Sequence, residues 1–138
     1  MKYKYTAFIP PKGISKWIKR PMIEVEIFGP EGSQKFNALI DSGADASLFN
    51  VQVAELLGFD LANARKENFT GISGTTLCYF FENVKIKLEG QEKFINIPVG
   101  FTDSNTVGLL LGQDGFFDKN RIKFERDHDS FEVTPIKD

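Results

Sequence analysis

The sequence predicts a single, mostly-β domain in which one β motif occurs twice, joined by one or two short helices. Three observations carry this. Apolar and polar residues alternate with period two in Ile23/Val25/Ile27, in Phe36/Ala38/Ile40 and in Val84/Ile86/Leu88, the pattern of half-buried strands. Helical spacing is confined to short segments. The order of elements also repeats. Glu24–Asp41 reads strand, glycine turn, polar-Phe start, strand; Asn83–Gly100 repeats it, with Gln91-Glu92-Lys93-Phe94 in the matching place. A spacing of roughly 60 residues suits two similar β lobes packed as one domain, not a solenoid.

In chain order, Ile23, Val25 and Ile27 face a core, with Glu24 and Glu26 outward, and Gly29-Pro30-Glu31-Gly32 is a turn. The second strand runs to Asp41. A short helix follows, with Asn50 as N-cap, Val53, Ala54 and Leu57 on one face, and Gly58 as stop. Gly71-Ile72-Ser73-Gly74, between Phe69 and the run Leu77–Phe81, reads as a mobile hairpin tip. Val84–Leu88 and Phe94–Val99 are strands about the turn Glu89-Gly90-Gln91. Val107–Leu111 is continuously apolar, which predicts burial on both faces. Asp114–Asp118 is one helical turn, and Ile122/Phe124 with Phe131/Val133 form a last hairpin around Asp127-His128-Asp129.

At 138 residues, 41% of them hydrophobic and 26% charged, the chain can bury a real core as one domain. Fourteen phenylalanines spread from Phe8 to Phe131 read as core. One cysteine and one histidine exclude a disulfide within the chain and a Cys/His zinc cluster. A Ser-His-Asp or Cys-His enzyme would have to use His128, with Cys78 as the sole thiol. Cys78 before Tyr79-Phe80-Phe81 reads as buried and inert. Asp127-His128-Asp129 reads as a solvated tip, so neither metal nor cofactor is expected. Gly71-x-x-Gly74 lacks the lysine of a phosphate loop. Carboxylates alone are abundant enough for general acid–base chemistry.

The net charge of −2 is unevenly placed. Residues 1–20 form a basic N-terminal arm holding Lys2, Lys4, Lys12, Lys16, Lys19 and Arg20 and no acid. Residues 21–138 hold 11 basic and 19 acidic side chains, a net −8. The arm reads as a solvated strand and loop on an acidic body that would repel phosphate, so no nucleic-acid partner is expected. No apolar h-region opens the chain, and no stretch approaches the ~20 apolar residues that span a bilayer. A cytoplasmic location without membrane contact is the expectation.

The segment that carries chemistry is Ala38-Leu39-Ile40-Asp41-Ser42-Gly43-Ala44-Asp45-Ala46-Ser47. A strongly apolar strand delivers Asp41 to its end. Ser42 can lock the loop by hydrogen bonding, and Gly43 allows a tight turn and close backbone approach. Asp-Ser-Gly alone is a common turn. With its flanks, and with Leu109-Leu110-Leu111-Gly112 and Gln113-Asp114-Gly115-Phe116-Phe117-Asp118 in the second half, the chain resembles retropepsin-like aspartic proteases over residues 20–135.

That resemblance implies a closed β-barrel of the acid-protease lobe type and an endopeptidase acting on peptide or protein substrates. Its chemistry uses two aspartates about 3 Å apart that share one proton and hold a water. The chain has one Asp-Ser-Gly, and the corresponding position in the second half, placed in the run to Leu111-Gly112, has no aspartate. The resemblance therefore implies a homodimer in which two copies of Asp41 meet on a two-fold axis. Ser42, Gly43 and Ala44 would form the active-site loop and brace the dimer. Asp45, Gly71, Ile72, Ser73 and Gly74 would bind substrate, the last four as a flap. Leu110, Leu111 and Gly112 would lie beside the catalytic loop. Two departures stand out. Gln113 replaces the arginine that viral members pair with the aspartate matching Asp45, which leaves Gln113's amide as one candidate partner. A C-terminal hairpin also replaces a single terminal strand. These departures keep open an alternative, a catalytically silent dimeric module that binds or scaffolds peptides.

Overall fold

The computed structural model describes residues 1–138 apart from Pro11, Ile14, Ser15, Ile72, Ser73, 105–107 and Asp138. The strands are β1 (Lys2–Lys4), β2 (Thr6–Phe8), β3 (Ile18–Arg20), β4 (Met22–Gly29), β5 (Gly32–Ile40), β6 (Ser47–Asn50), β7 (Arg65–Gly71), β8 (Gly74–Leu88), β9 (Phe94–Thr102), β10 (Leu109–Leu111), β11 (Asn120–Glu125) and β12 (Ser130–Pro135). One helix, α1 (Val51–Leu57), follows β6 directly. Asn50 Oδ1 accepts the Gln52 amide at 2.9 Å, and Gly58 closes the helix in the left-handed region at φ +79°.

Six strands run in the order β4-β5-β10-β6-β9-β8, and a β4–β8 pairing closes them into a barrel. The closed lobe expected from the sequence is present, but the repeats are not two lobes side by side. They interlock. β10, from the second repeat, lies between β5 and β6 of the first, parallel to one and antiparallel to the other. In turn β6 lies between β10 and β9, parallel to β9. Each repeat thus supplies the strand that completes the other.

Register makes the internal two-fold explicit. Leu39, Leu110, Leu48 and Gly100 form one row across β5-β10-β6-β9, symmetric about the Leu110–Leu48 pair. Ile40, Phe49, Phe101 and Leu111 point the other way and are buried. Leu39, Leu48 and Leu110 are only half-buried. The prediction that Val107–Leu111 is buried on both faces is therefore corrected for its described part: Leu111 faces the core, Leu110 the open side, and Leu109 is half-buried. Val107 lies outside the described residues. Four-residue β6 was missed because Ser-Leu-Phe-Asn runs straight into the helix cap, too short for alternation to register.

The core lies inside the barrel, where Phe49, Phe59, Phe81 and Phe101 meet with centroid separations of 5.1 to 6.0 Å; three of these four pairs are edge-on, a geometry that adds to area burial. Not every phenylalanine is core. Phe94 is 48% exposed and lies on the outer face beneath the Lys85 ammonium, 4.1 Å from its centroid. Outside the barrel, β1-β12-β11 forms a small sheet, with Tyr3 stacked on Phe131 at 5.4 Å. The strands β2 and β3 form a separate hairpin. No helix among the described residues is long and apolar enough to cross a membrane.

Candidate active site

Asp41 is the first residue beyond β5. Its amide donates to Leu111 O at 3.0 Å, which continues the parallel β5–β10 ladder one step past the strand. Period two puts its side chain on the face of Leu39, the open side of the sheet. The carboxylate Oδ1 accepts the Gly43 amide at 2.9 Å, and Ala44 N donates to Asp41 O at 3.2 Å. These bonds curl residues 41–44 into a turn that Asp at its first position favours. Gly43 has no positive φ. A Cβ there would stand 3.3 Å from Asp41 Oδ1, so glycine leaves the carboxylate room. Asp41 is half-buried, and Ser42, Gly43 and Asp45 are exposed.

The second half of the chain holds this loop from below. Gln113 N donates to Ala44 O at 2.8 Å and Asp114 N to Asp45 O at 2.9 Å. Gly112 N donates to the buried Ser47 Oγ at 3.0 Å. A Cβ on Gly112 would come within 2.7 Å of Ala44 O and nearer still to Ala46 O. The glycine after Leu110-Leu111 is thus a requirement of the loop passing over it. The Gln113 side chain also acts here, but not on Asp45: its Nε2 donates to Ser42 O at 2.8 Å. Neither Gln113's contact nor Ser47's was read from the sequence, although Ser47 stood in the motif. The turn beyond is irregular over Gln113–Phe117. Gly115 adopts φ +83°, its amide held by Asp118 Oδ2 at 2.9 Å.

The internal two-fold maps Leu39 onto Gly100, and therefore Asp41 onto Thr102; the expected counterpart in the run to Leu111-Gly112 is corrected, because Leu110 is the mate of Leu48. The turn is reproduced there: Thr102 Oγ1 accepts the Ser104 amide at 3.2 Å, as Asp41 Oδ1 accepts that of Gly43. Thr102 is neutral and fully buried. It lies four residue steps from Asp41 along the strands, about 13 Å at ~3.3 Å per residue. Among the described residues, the symmetry mate of the Asp41 carboxylate is thus a hydroxyl and not a second carboxylate.

The β7–β8 hairpin, paired from Arg65↔Phe80 to Gly71↔Gly74, rises beyond the barrel at the Thr102 end. Its Phe69 ring packs on Gly100, where a Cβ would meet Phe69 Cε2 at 2.7 Å. Gly74 is exposed at φ +109°. Ile72 and Ser73, expected at the flap tip, lie outside the described residues. Cys78 is buried at the root of the hairpin, and burial pushes its thiol up to about 11, against a role as nucleophile. Asp127-His128-Asp129 sits in the β11–β12 turn. There Asp129 is taken by Lys19 and Arg126, each at 2.7 Å, and the first of these bonds does most to hold its carboxyl below the usual range.

Comparison with known proteins bears on the same residues. No curated protein matches the chain. A family model described as aspartyl protease matches residues 23–114, which include the Asp41 loop and the Leu110-Leu111-Gly112 element that carries it. The closed, interlocked barrel, the aspartate at the end of its inner strand and this match across two thirds of the sequence agree: the chain belongs to the aspartyl protease family.

Proposed function

We propose that the protein is an aspartic endopeptidase of the retropepsin type whose site is completed by a second copy of the chain. The observation that carries the reading is the pairing of an open, braced Asp41 with a buried threonine at the symmetry-related position. A chain built this way supplies half of a two-carboxylate site.

Two Asp41 carboxylates brought within about 3 Å cannot both ionise, so the pair holds one proton. The ionised member takes a proton from water, which attacks the scissile carbonyl, and the protonated member donates to the carbonyl oxygen. The pair titrates as a unit, and activity favours mildly acidic solution, where one proton is retained. Leu39, Leu48 and Leu110, half-exposed beside Asp41, suit apolar substrate side chains next to the cleaved bond. The β7–β8 hairpin, with Gly71, Ile72, Ser73 and Gly74 at its end, closes over the peptide and excludes water. Ser42, Gly43 and Ala44 brace loop against loop across the dimer, and the exposed Asp45 accepts from the substrate backbone.

The test is Asp41→Asn. The amide oxygen still accepts the Gly43 amide, so the fold is retained, while cleavage of a peptide library at pH 4–6 falls by about 10³-fold or more. A variant that cleaves as well as the wild type would refute the reading. Wild-type protein that binds peptides as a dimer without turnover supports the silent module instead.

A further inference from the structure

The β2–β3 hairpin carries a group of exposed large apolar side chains. Phe8, Ile9 and Trp17 near its end are 39%, 80% and 57% exposed, although a lone two-stranded hairpin is marginal in water. Lys19–Asp129 ties its base to the body. Lys12 and Lys16, near the tip, form no ion pair among the described residues. Residues 1–20 carry only positive charge, while the remainder is net −8. The root of the hairpin adjoins the site. Pro21 O accepts the Ile40 amide at 3.0 Å, which sets Arg20 and Pro21 beside the strand end that carries Asp41.

We propose that this hairpin is a clasp: each copy lays it on the acidic surface of a second copy and buries Trp17 there. The inference rests on the two-copy reading above. A basic hairpin with exposed Phe8, Ile9 and Trp17, rooted beside Asp41, starts at the edge where two Asp41 loops must meet, and the body it would reach has the opposite charge. A clasp held in this way weakens with salt, because exposed charge pairs are screened beyond about 8–10 Å at physiological ionic strength. The same acidic body disfavours nucleic acid as the occupant.

Trp17 is the only tryptophan in the chain, so its emission reports the clasp directly. Dilution of the wild-type protein is followed by fluorescence, sedimentation and peptide cleavage together. The expected result is a red shift of Trp17 emission with the same midpoint as dimer dissociation and loss of activity. Lys12→Glu with Lys16→Glu is expected to raise the dissociation constant about tenfold or more. Turnover per dimer at high protein concentration should stay unchanged, and circular dichroism will confirm an intact fold. Several outcomes overturn the proposal. If the protein dimerises while Trp17 emission stays constant on dilution, the clasp fails and the two-copy reading survives. Blue-shifted emission at every concentration places the hairpin on its own chain. A shift seen only with added oligonucleotide assigns it to nucleic acid. A chain that is monomeric at every concentration overturns the clasp and the two-copy reading together.

Discussion

Asp41 and Thr102 each stand at the end of a strand paired in parallel with an inner neighbour, and each turns a side-chain oxygen onto the amide two residues on. The backbone problem is the same at both places, and an aspartate and a threonine solve it equally well. What differs is the surroundings. Asp41 lies on the open face, with its loop fastened to the chain beneath by bonds at Ser42, Ala44 and Asp45. Thr102 is enclosed beside Cys78. The turn is therefore a property of the fold, while the two places differ in charge and access. This is why a turn tripeptide, read alone, says so little.

The largest effect is expected where the fastening is tightest. Gly112→Ala drives a methyl into the Ala44 and Ala46 carbonyls, which are backbone and cannot move aside cheaply. A loss of about 3 kcal/mol or more in denaturant midpoint is expected, together with cleavage. Glycine φ is not the issue here, because Gly112 lies in the extended region at φ −112°; the objection is purely spatial. A variant as stable and active as the wild type would mean that loop 41–46 does not need its close seat, and the contrast with Thr102 would lose its footing.

Thr102→Val tests the other side of the comparison. The side chain keeps its shape and loses the hydroxyl, which leaves the Ser104 amide without that acceptor. A cost of about 1–2 kcal/mol in stability is expected, with turnover per folded molecule unchanged. A fall in cleavage beyond the fall in folded fraction would show that the second turn has a part in the reaction, and the division between structural and chemical turns would be wrong.

Gln113→Leu is expected to cost less stability than either. It removes the donor to Ser42 O, but Ser42 and Gln113 are exposed, so water compensates in part and the stability cost is about 1 kcal/mol or less. If the amide positions the loop, kcat falls while KM moves little, Gln113→Arg restores a donor and recovers the rate, and Gln113→Glu does not. Equal rates across the three would reduce the contact to surface decoration.

How much of this was legible beforehand follows from the same contrast. Period-two alternation found β4, β5, β8 and β9, because each is long and buries one face. The motif singled out the Asp41 loop, and the family resemblance singled out the Leu110-Leu111-Gly112 element that lies beneath it, whereas the repeat matched that element to the wrong segment. The interlocking of the repeats was not legible, since β6 and β10 have four and three residues and their partners are set by tertiary pairing. Gln113 was noticed as a departure, yet its true acceptor is a backbone carbonyl, and main-chain acceptors leave no trace in residue identity. The open face of β10 was misread for a related reason. A run of apolar residues announces burial, but not whether the same chain or another supplies the cover.

Asp129 is the control carboxylate, and its effect is the smallest expected. Where Asp41 accepts a backbone amide, Asp129 accepts from Lys19 Nζ and Arg126 Nη1, which hold its carboxyl below the ordinary range. A folded-state value below the unfolded one contributes stability that is fully present above the unfolded value, about 3.9. That stability is lost as pH falls through the lower folded value. Asp129→Asn should therefore lower the unfolding midpoint slightly at pH 6, and the gap to the wild type should close as pH drops below about 4. Asparagine tolerates the left-handed backbone at φ +54°, so the change isolates charge from conformation. Raised salt should shrink the gap at pH 6 as well, because the pair is exposed. Peptide cleavage should be indifferent to the substitution. If it follows the Asp129 titration instead, the carboxylate that matters in acid is not confined to the Asp41 loop, and the proposed distinction between a catalytic and an anchoring aspartate would have to be redrawn.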